Sequence, residues 1–146
     1  MNIDWLQVIA AGICSVGFSI IFRIRVKYFP VSFIGGALCW LLFLTASSIW
    51  EGRTTTMIIT AICVTAYAEI AARIVKLPVP VIYSPSIIPL IPGGNLYYCL
   101  RGFVTNSRTD FSHYGMLLLE DTLGIVLGSV IVLSFVSAIT AKKRGD

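Results

Sequence analysis

Apolar runs of about twenty residues follow one another along nearly the whole chain, parted by short turns that carry most of the charge. A helix needs about 20 such residues to cross roughly 30 Å of hydrocarbon. The runs place spans at 4–22, 31–50, 54–73, 82–104 and 116–140. No interval remains for a soluble domain or a long linker, so residues 1–146 are expected to form a single transmembrane domain of the all-α class. Only 12% of the residues are charged and 57% are hydrophobic. A soluble domain carries about 25% charged residues because its surface must face water.

The net charge of +4 does not point to nucleic acid, because the basic residues form short clusters between apolar runs and not a stripe along one face. Such clusters are topology signals, since Lys and Arg accumulate on the cytoplasmic side. Five spans put Arg23, Arg25, Lys27, Arg73, Lys76, Lys142, Lys143 and Arg144 on one side, and Arg53, Arg101 and Arg108 on the other. This split predicts a cell-membrane protein with its N-terminus outside and its C-terminus in the cytoplasm. Trp5, Trp50 and Tyr114 then fall at the outer interface and Tyr28 and Tyr83 at the inner one, where amphipathic rings are favoured. Trp40, near mid-span, is expected to pack against a neighbouring helix. The first span has Asp4 and no preceding Lys or Arg, the wrong charge for a cleavable signal peptide.

Cys14, Cys39, Cys63 and Cys99 are scattered one per apolar segment, without a CxxC pair or a Cys/His cluster, so neither a metal nor another cofactor is expected. Small residues crowd the first two spans (Ala10, Ala11, Gly12, Ser15, Gly17; Gly35, Gly36), and Gly124 and Gly128 form a GxxxG pair in the fifth. In lipid, small residues let helix backbones approach closely.

The most informative stretch is Pro78-Val79-Pro80-Val81-Ile82-Tyr83-Ser84-Pro85-Ser86-Ile87-Ile88-Pro89-Leu90-Ile91-Pro92-Gly93-Gly94-Asn95, which holds five of the six prolines. An interior proline removes an amide donor and crowds the carbonyl four residues earlier. Pro89 would free the carbonyl of Pro85, and Pro92 that of Ile88. In hydrocarbon such carbonyls must find partners inside protein or in a water-lined cavity. Pro92-Gly93-Gly94 lies in the middle of the 82–104 span, so the fourth helix is expected to break near the bilayer midplane. Gly93 and Gly94 allow backbone conformations closed to other residues, and Asn95 is a candidate N-cap for a half-helix starting near Leu96. Amides at such a start carry partial positive charge and suit a carboxylate, as in transporters with discontinuous helices. Gly94, Asn95 and Tyr98 are therefore candidate substrate-binding residues. The competing reading is a kinked structural helix without a ligand.

Other polar residues offer coupling or ion-pair roles. Glu69 and Arg73 are spaced i, i+4, which suits a pair at the end of the third span. Glu120 and Asp121 complement the helix dipole if the fifth helix begins near Met116, the favoured start. They lie deeper, where ionisable groups are usually functional, if it begins near Ser112. Arg101 is a candidate partner for one of them. His113, beside Ser112 and Tyr114, is expected in a solvated outer loop. Ser112, His113 and Asp110 sit too close in sequence for a hydrolytic triad, so no enzymatic activity is expected.

Pro89-Leu90-Ile91-Pro92-Gly93 and Leu123-Gly124-Ile125-Val126-Leu127-Gly128 resemble motifs of the threonine/serine exporter family, specifically its smaller, C-terminal-type module. The resemblance covers nearly the whole chain. It implies export of threonine and serine, or of a dicarboxylate such as succinate in related two-component systems, together with a larger membrane partner. Pro89, Pro92 and Gly93 carry over as motif positions. A non-transporting membrane scaffold is the reading from a different class. Five short helices are few to enclose a pathway, so assembly with another chain or with further copies is expected.

Overall fold

Pro30 and Pro80 stand in the first turns of two helices, and Gly52 and Pro92 precede two more. The computed structural model describes residues 4–144, with side chains for 4–140. The side chains of the Lys142, Lys143 and Arg144 cluster therefore lie outside the described residues. The elements are α1 (Trp5–Ile21), a 3-10 turn (Val26–Tyr28), α2 (Phe29–Ile49), α3 (Arg53–Val75), α4 (Val79–Ile87), a second 3-10 turn (Ile88–Leu90), α5 (Gly93–Val104) and α6 (Arg108–Arg144). No strand occurs among the described residues. Three segments, Val26–Ile49, Arg53–Val75 and Arg108–Thr140, are long and apolar enough to cross a membrane. Trp5–Ile21 and Val79–Leu90 are apolar but shorter.

Three chain reversals share one device. Arg23, Lys76 and Asn106 each take left-handed backbone with φ of 55°. In each case the following amide closes the helix end, Ile24 on the carbonyl of Ser19, Leu77 on that of Ala72 and Ser107 on that of Gly102, all at 2.9 Å. Such wide hydrogen-bonded closures satisfy carbonyls that a helix end leaves free.

α3 is the central helix, packed against α2, α4 and α6, while α1 packs on α2. The contacts depend on small side chains. A Cβ added to Gly36 would lie 2.8 Å from the backbone oxygen of Ala11, and one added to Gly128 would lie 2.5 Å from that of Ile58. The GxxxG pair of the fifth apolar run is thus spent on α3 within the chain. Buried hydroxyls between helices bond back along their own helix: Ser15 to the carbonyl of Ala11, Thr60 to that of Thr56, Thr65 to that of Ala61 and Ser86 to that of Ile82. This leaves few polar groups to desolvate while backbones come close. Trp40 donates its indole N–H to Gln7 of α1 at 3.1 Å, fixing it against the neighbouring helix.

α6 begins at Arg108, eight residues before the favoured start at Met116. The cause is local: the hydroxyl of Ser107 accepts the amide of Asp110 at 3.4 Å, and the amide of Phe111 reaches the Ser107 carbonyl at 3.0 Å. Serine before a helix with an acid three residues on is a helix-start signature. Ser112, His113 and Tyr114 consequently lie on α6 and not in a loop, with His113 against the ring of Tyr114. At 37 residues, α6 is about 55 Å long. Its first part packs on α5, where Tyr98 stacks on Tyr114 with centroids 5.0 Å apart. Its later part packs on α3 through Gly124 and Gly128. α5 and the start of α6 therefore form a hairpin that runs past the first residue of α3.

Candidate functional site

Between α4 and α5 the chain leaves helical backbone at Ile91 (φ −61°, ψ 127°) and Pro92 (φ −77°, ψ 60°). The prolines account for it, because Pro89 and Pro92 supply no amide to continue the ladder. The carbonyl of Ile88, which Pro92 cannot reach, accepts the amide of Ile91 at 3.0 Å. Helix resumes at Gly93. The Gly93 amide turns back to the Ile91 carbonyl at 2.7 Å and that of Leu96 bonds the Pro92 carbonyl at 3.0 Å. No backbone carbonyl among the described residues accepts the amides of Gly94 and Asn95.

Two expectations about this turn are corrected. Neither Gly93 nor Gly94 uses a positive φ. Their contribution is space, since a Cβ at either would meet nothing within 4 Å. Asn95 is not the N-cap. Pro92 occupies that position and the helix starts three residues ahead of Leu96. The Asn95 side chain instead donates to Asp121 at 2.7 Å.

Asp121 is the centre of the site. It is 0% exposed, and its two oxygens receive Nε and an Nη of Arg53 at 2.6 and 2.9 Å in addition to Asn95. A buried carboxylate is costly unless paired and hydrogen-bonded, and three donor groups from two helices, two on Arg53 of α3 and one on Asn95 of α5, meet that requirement. Arg101, the sequence-derived partner for Glu120 or Asp121, forms no ion pair among the described residues. It sits on the exposed side of α5, whereas Arg53 reaches Asp121 from the first turn of α3. Glu120, next in sequence to Asp121, is exposed because adjacent helical residues point about 100° apart.

A cavity of about 230 Å³ opens beside this cluster, bounded by Trp40 and Phe43 of α2, Arg53 and Met57 of α3, and the chain from Pro89 to Asn95. The cavity therefore gathers Pro89, Pro92, Gly93, Gly94 and Asn95 around Arg53, which the charge pattern places on the outer side without a further role. Tyr98 stands apart from it, stacked on Tyr114. Glu69 and Arg73 also stand apart, paired at 3.5 Å near the other end of α3. The break lies at the middle of the α4–α5 path but beside the first turn of α3, because the α5–α6 hairpin extends beyond that turn.

Residues 7–135 match the family described as threonine/serine exporter, ThrE. Neither the curated proteins nor the solved structures give a significant match. The matched region contains the whole break, the Arg53–Asp121–Asn95 cluster and the glycine contacts between α3 and α6. The family is a class of membrane transporter and not of enzyme. With most of its length matched, the chain belongs to the threonine/serine exporter family.

Proposed function

We propose that this chain is the smaller subunit of a two-component exporter of threonine and serine in the cell membrane. It would work with a larger membrane partner and take its solute at the cavity beside the break. The observation that carries the reading is Asp121, a fully buried carboxylate held by Arg53 and Asn95 at the rim of a cavity whose floor is an unsatisfied half-helix start. Ionisable groups buried in a membrane protein are expensive and usually serve its pathway. An amino acid carries one carboxylate and one ammonium. The amides of Gly94 and Asn95 and the guanidinium of Arg53, which line the cavity, suit the carboxylate, while Asp121 lies behind Arg53 and Asn95 and would meet the ammonium once one of them moves aside. A dicarboxylate such as succinate is the alternative, but its second carboxylate would have to settle beside Asp121. The cavity is smaller than the roughly 300–1,000 Å³ of drug-sized ligand sites, in keeping with a small solute.

In this reading the chain crosses the bilayer five times, through α1, α2, α3, the interrupted α4–α5 path and α6, with its N-terminus outside. The turns that carry Arg23, Arg25 and Leu77 border one common groove, which supports placing the basic links on one, cytoplasmic, side. The outward-facing apolar residues of α5 and α6, among them Tyr97, Phe103, Leu119 and Val130, are left to lipid, the larger partner or another copy.

The test is reconstitution of the complete assembly in vesicles with labelled threonine, serine and succinate. Threonine and serine should move in a protein-dependent way, and absence of flux for all three would overturn the transport reading. Single cysteines at positions 93 to 95, in a cysteine-free background, should react with a water-soluble reagent. Inertness at all three would favour a packed scaffold.

A further inference from the structure

A second recess lies at the basic end of the bundle, far along α4 from the break. It has a volume of about 560 Å³ and forms where the link after α1 meets the start of α4. Its polar rim is Arg23, Arg25, Tyr28 and Ser84, and its apolar wall includes Phe22 and Leu77. The link is not a loose loop. The amides of Arg23, Ile24 and Tyr28 are tied to the carbonyls of Ile20, Ser19 and Arg25 at 2.9–3.0 Å, so the backbone under both arginines is fixed. Neither Arg23 nor Arg25 has a carboxylate partner among the described residues, where the ion pairs are Arg53–Asp121 and Arg73–Glu69. Two unpaired guanidiniums held over an apolar wall are complementary to an anion that carries hydrocarbon.

We infer that this recess is a binding site for an anionic phospholipid, with the phosphate on Arg23 and Arg25 and the first part of an acyl chain against Phe22 and Leu77. Guanidinium groups bind phosphate through two parallel hydrogen bonds, and basic pockets between membrane helices are suited to anionic headgroups. The helices bordering the recess are short. α1 has 17 residues and α4 nine, so each covers less than the roughly 30 Å hydrocarbon thickness. The site is separate from the Asp121 cavity and does not depend on which solute is carried.

Purified protein in mixed micelles of phosphatidylglycerol and phosphatidylcholine, analysed by native mass spectrometry, tests the assignment. Wild type should retain phosphatidylglycerol preferentially, and Arg23→Gln/Arg25→Gln should lower that preference about thirtyfold, given the attraction of each of the two basic residues to an anionic surface. Ser84→Trp, which fills the recess without changing charge, should lower it as well. Inorganic phosphate in millimolar excess should leave the lipid in place. Equal retention by wild type and the double variant overturns the proposal, as does an unchanged preference in Ser84→Trp or displacement by inorganic phosphate. Helical content measured by circular dichroism keeps a folding defect distinct from loss of the site.

Discussion

Arg53 and Asp121, 68 residues apart in the chain, meet as a two-point ion pair at 2.6 and 2.9 Å, with the Asp121 side chain fully buried and the Arg53 side chain 47% exposed. The pair joins the first turn of α3 to α6, and Asn95 brings the start of α5 to the same carboxylate. One carboxylate thus ties three helices around the cavity. A ligand that drew Arg53 or Asn95 away would loosen all three.

Arg53→Ala should destabilise the fold more than Asp121→Asn. The first leaves a buried carboxylate without its cation, which costs about 3 kcal/mol, the lower end of the range for broken buried pairs because Arg53 is half exposed. The second removes the buried charge: the amide oxygen can still accept from Asn95 and one Arg53 nitrogen, the NH2 group loses the bond to Arg53 Nε, and the half-exposed guanidinium can turn to water. Thermal unfolding in mild detergent ranks the two. Equal stability of both variants would mean the pair contributes little to holding α3 on α6.

Asn95→Ala should reduce threonine flux severalfold in the reconstituted assembly while leaving the amount of folded protein near wild type. The helix loses no cap, since Pro92 holds that position, and the loss is one hydrogen bond to Asp121, about 1.5–3 kcal/mol for a charged acceptor. A matching fall in flux and in folded protein would make Asn95 a structural tie only.

Gly94 separates space from conformation. Gly94→Ala should fold normally and gain up to about 1 kcal/mol from higher helix propensity, because its Cβ meets open space. Gly94→Leu should also fold, yet cut flux strongly by filling the cavity. Full transport by Gly94→Leu would argue that solute does not pass this point.

Gly128→Ala should loosen α6 from α3 and cost about 1–3 kcal/mol, the range for overpacked contacts, because the new Cβ would sit 2.5 Å from the Ile58 carbonyl oxygen. Gly17→Ala, whose Cβ would meet nothing within 4 Å, serves as the control and should not destabilise. Unfolding transitions in detergent distinguish them.

Some of the site's chemistry is written locally. Pro89 and Pro92 lack amides wherever the chain puts them, and Ser107 with Asp110 marks the start of α6 for any reader who looks three residues ahead. The pairing of Asp121 was not legible, because Arg53, Arg101 and Arg108 all belong to the same predicted side. Only the lateral arrangement of α3, α5 and α6 selects among them. The role of Gly93 and Gly94 is hidden for a related reason: a glycine needed for torsional freedom and one needed for empty space look the same in one dimension.

The sequence by itself determined that this is an all-helical membrane protein, because burial in lipid is set residue by residue by apolar character and by the length of each run. The tertiary structure decided which charged residue meets which, where the break stands against α3 and which glycines carry contacts. Those depend on how helices distant in sequence align side by side, and hydropathy is indifferent to that alignment.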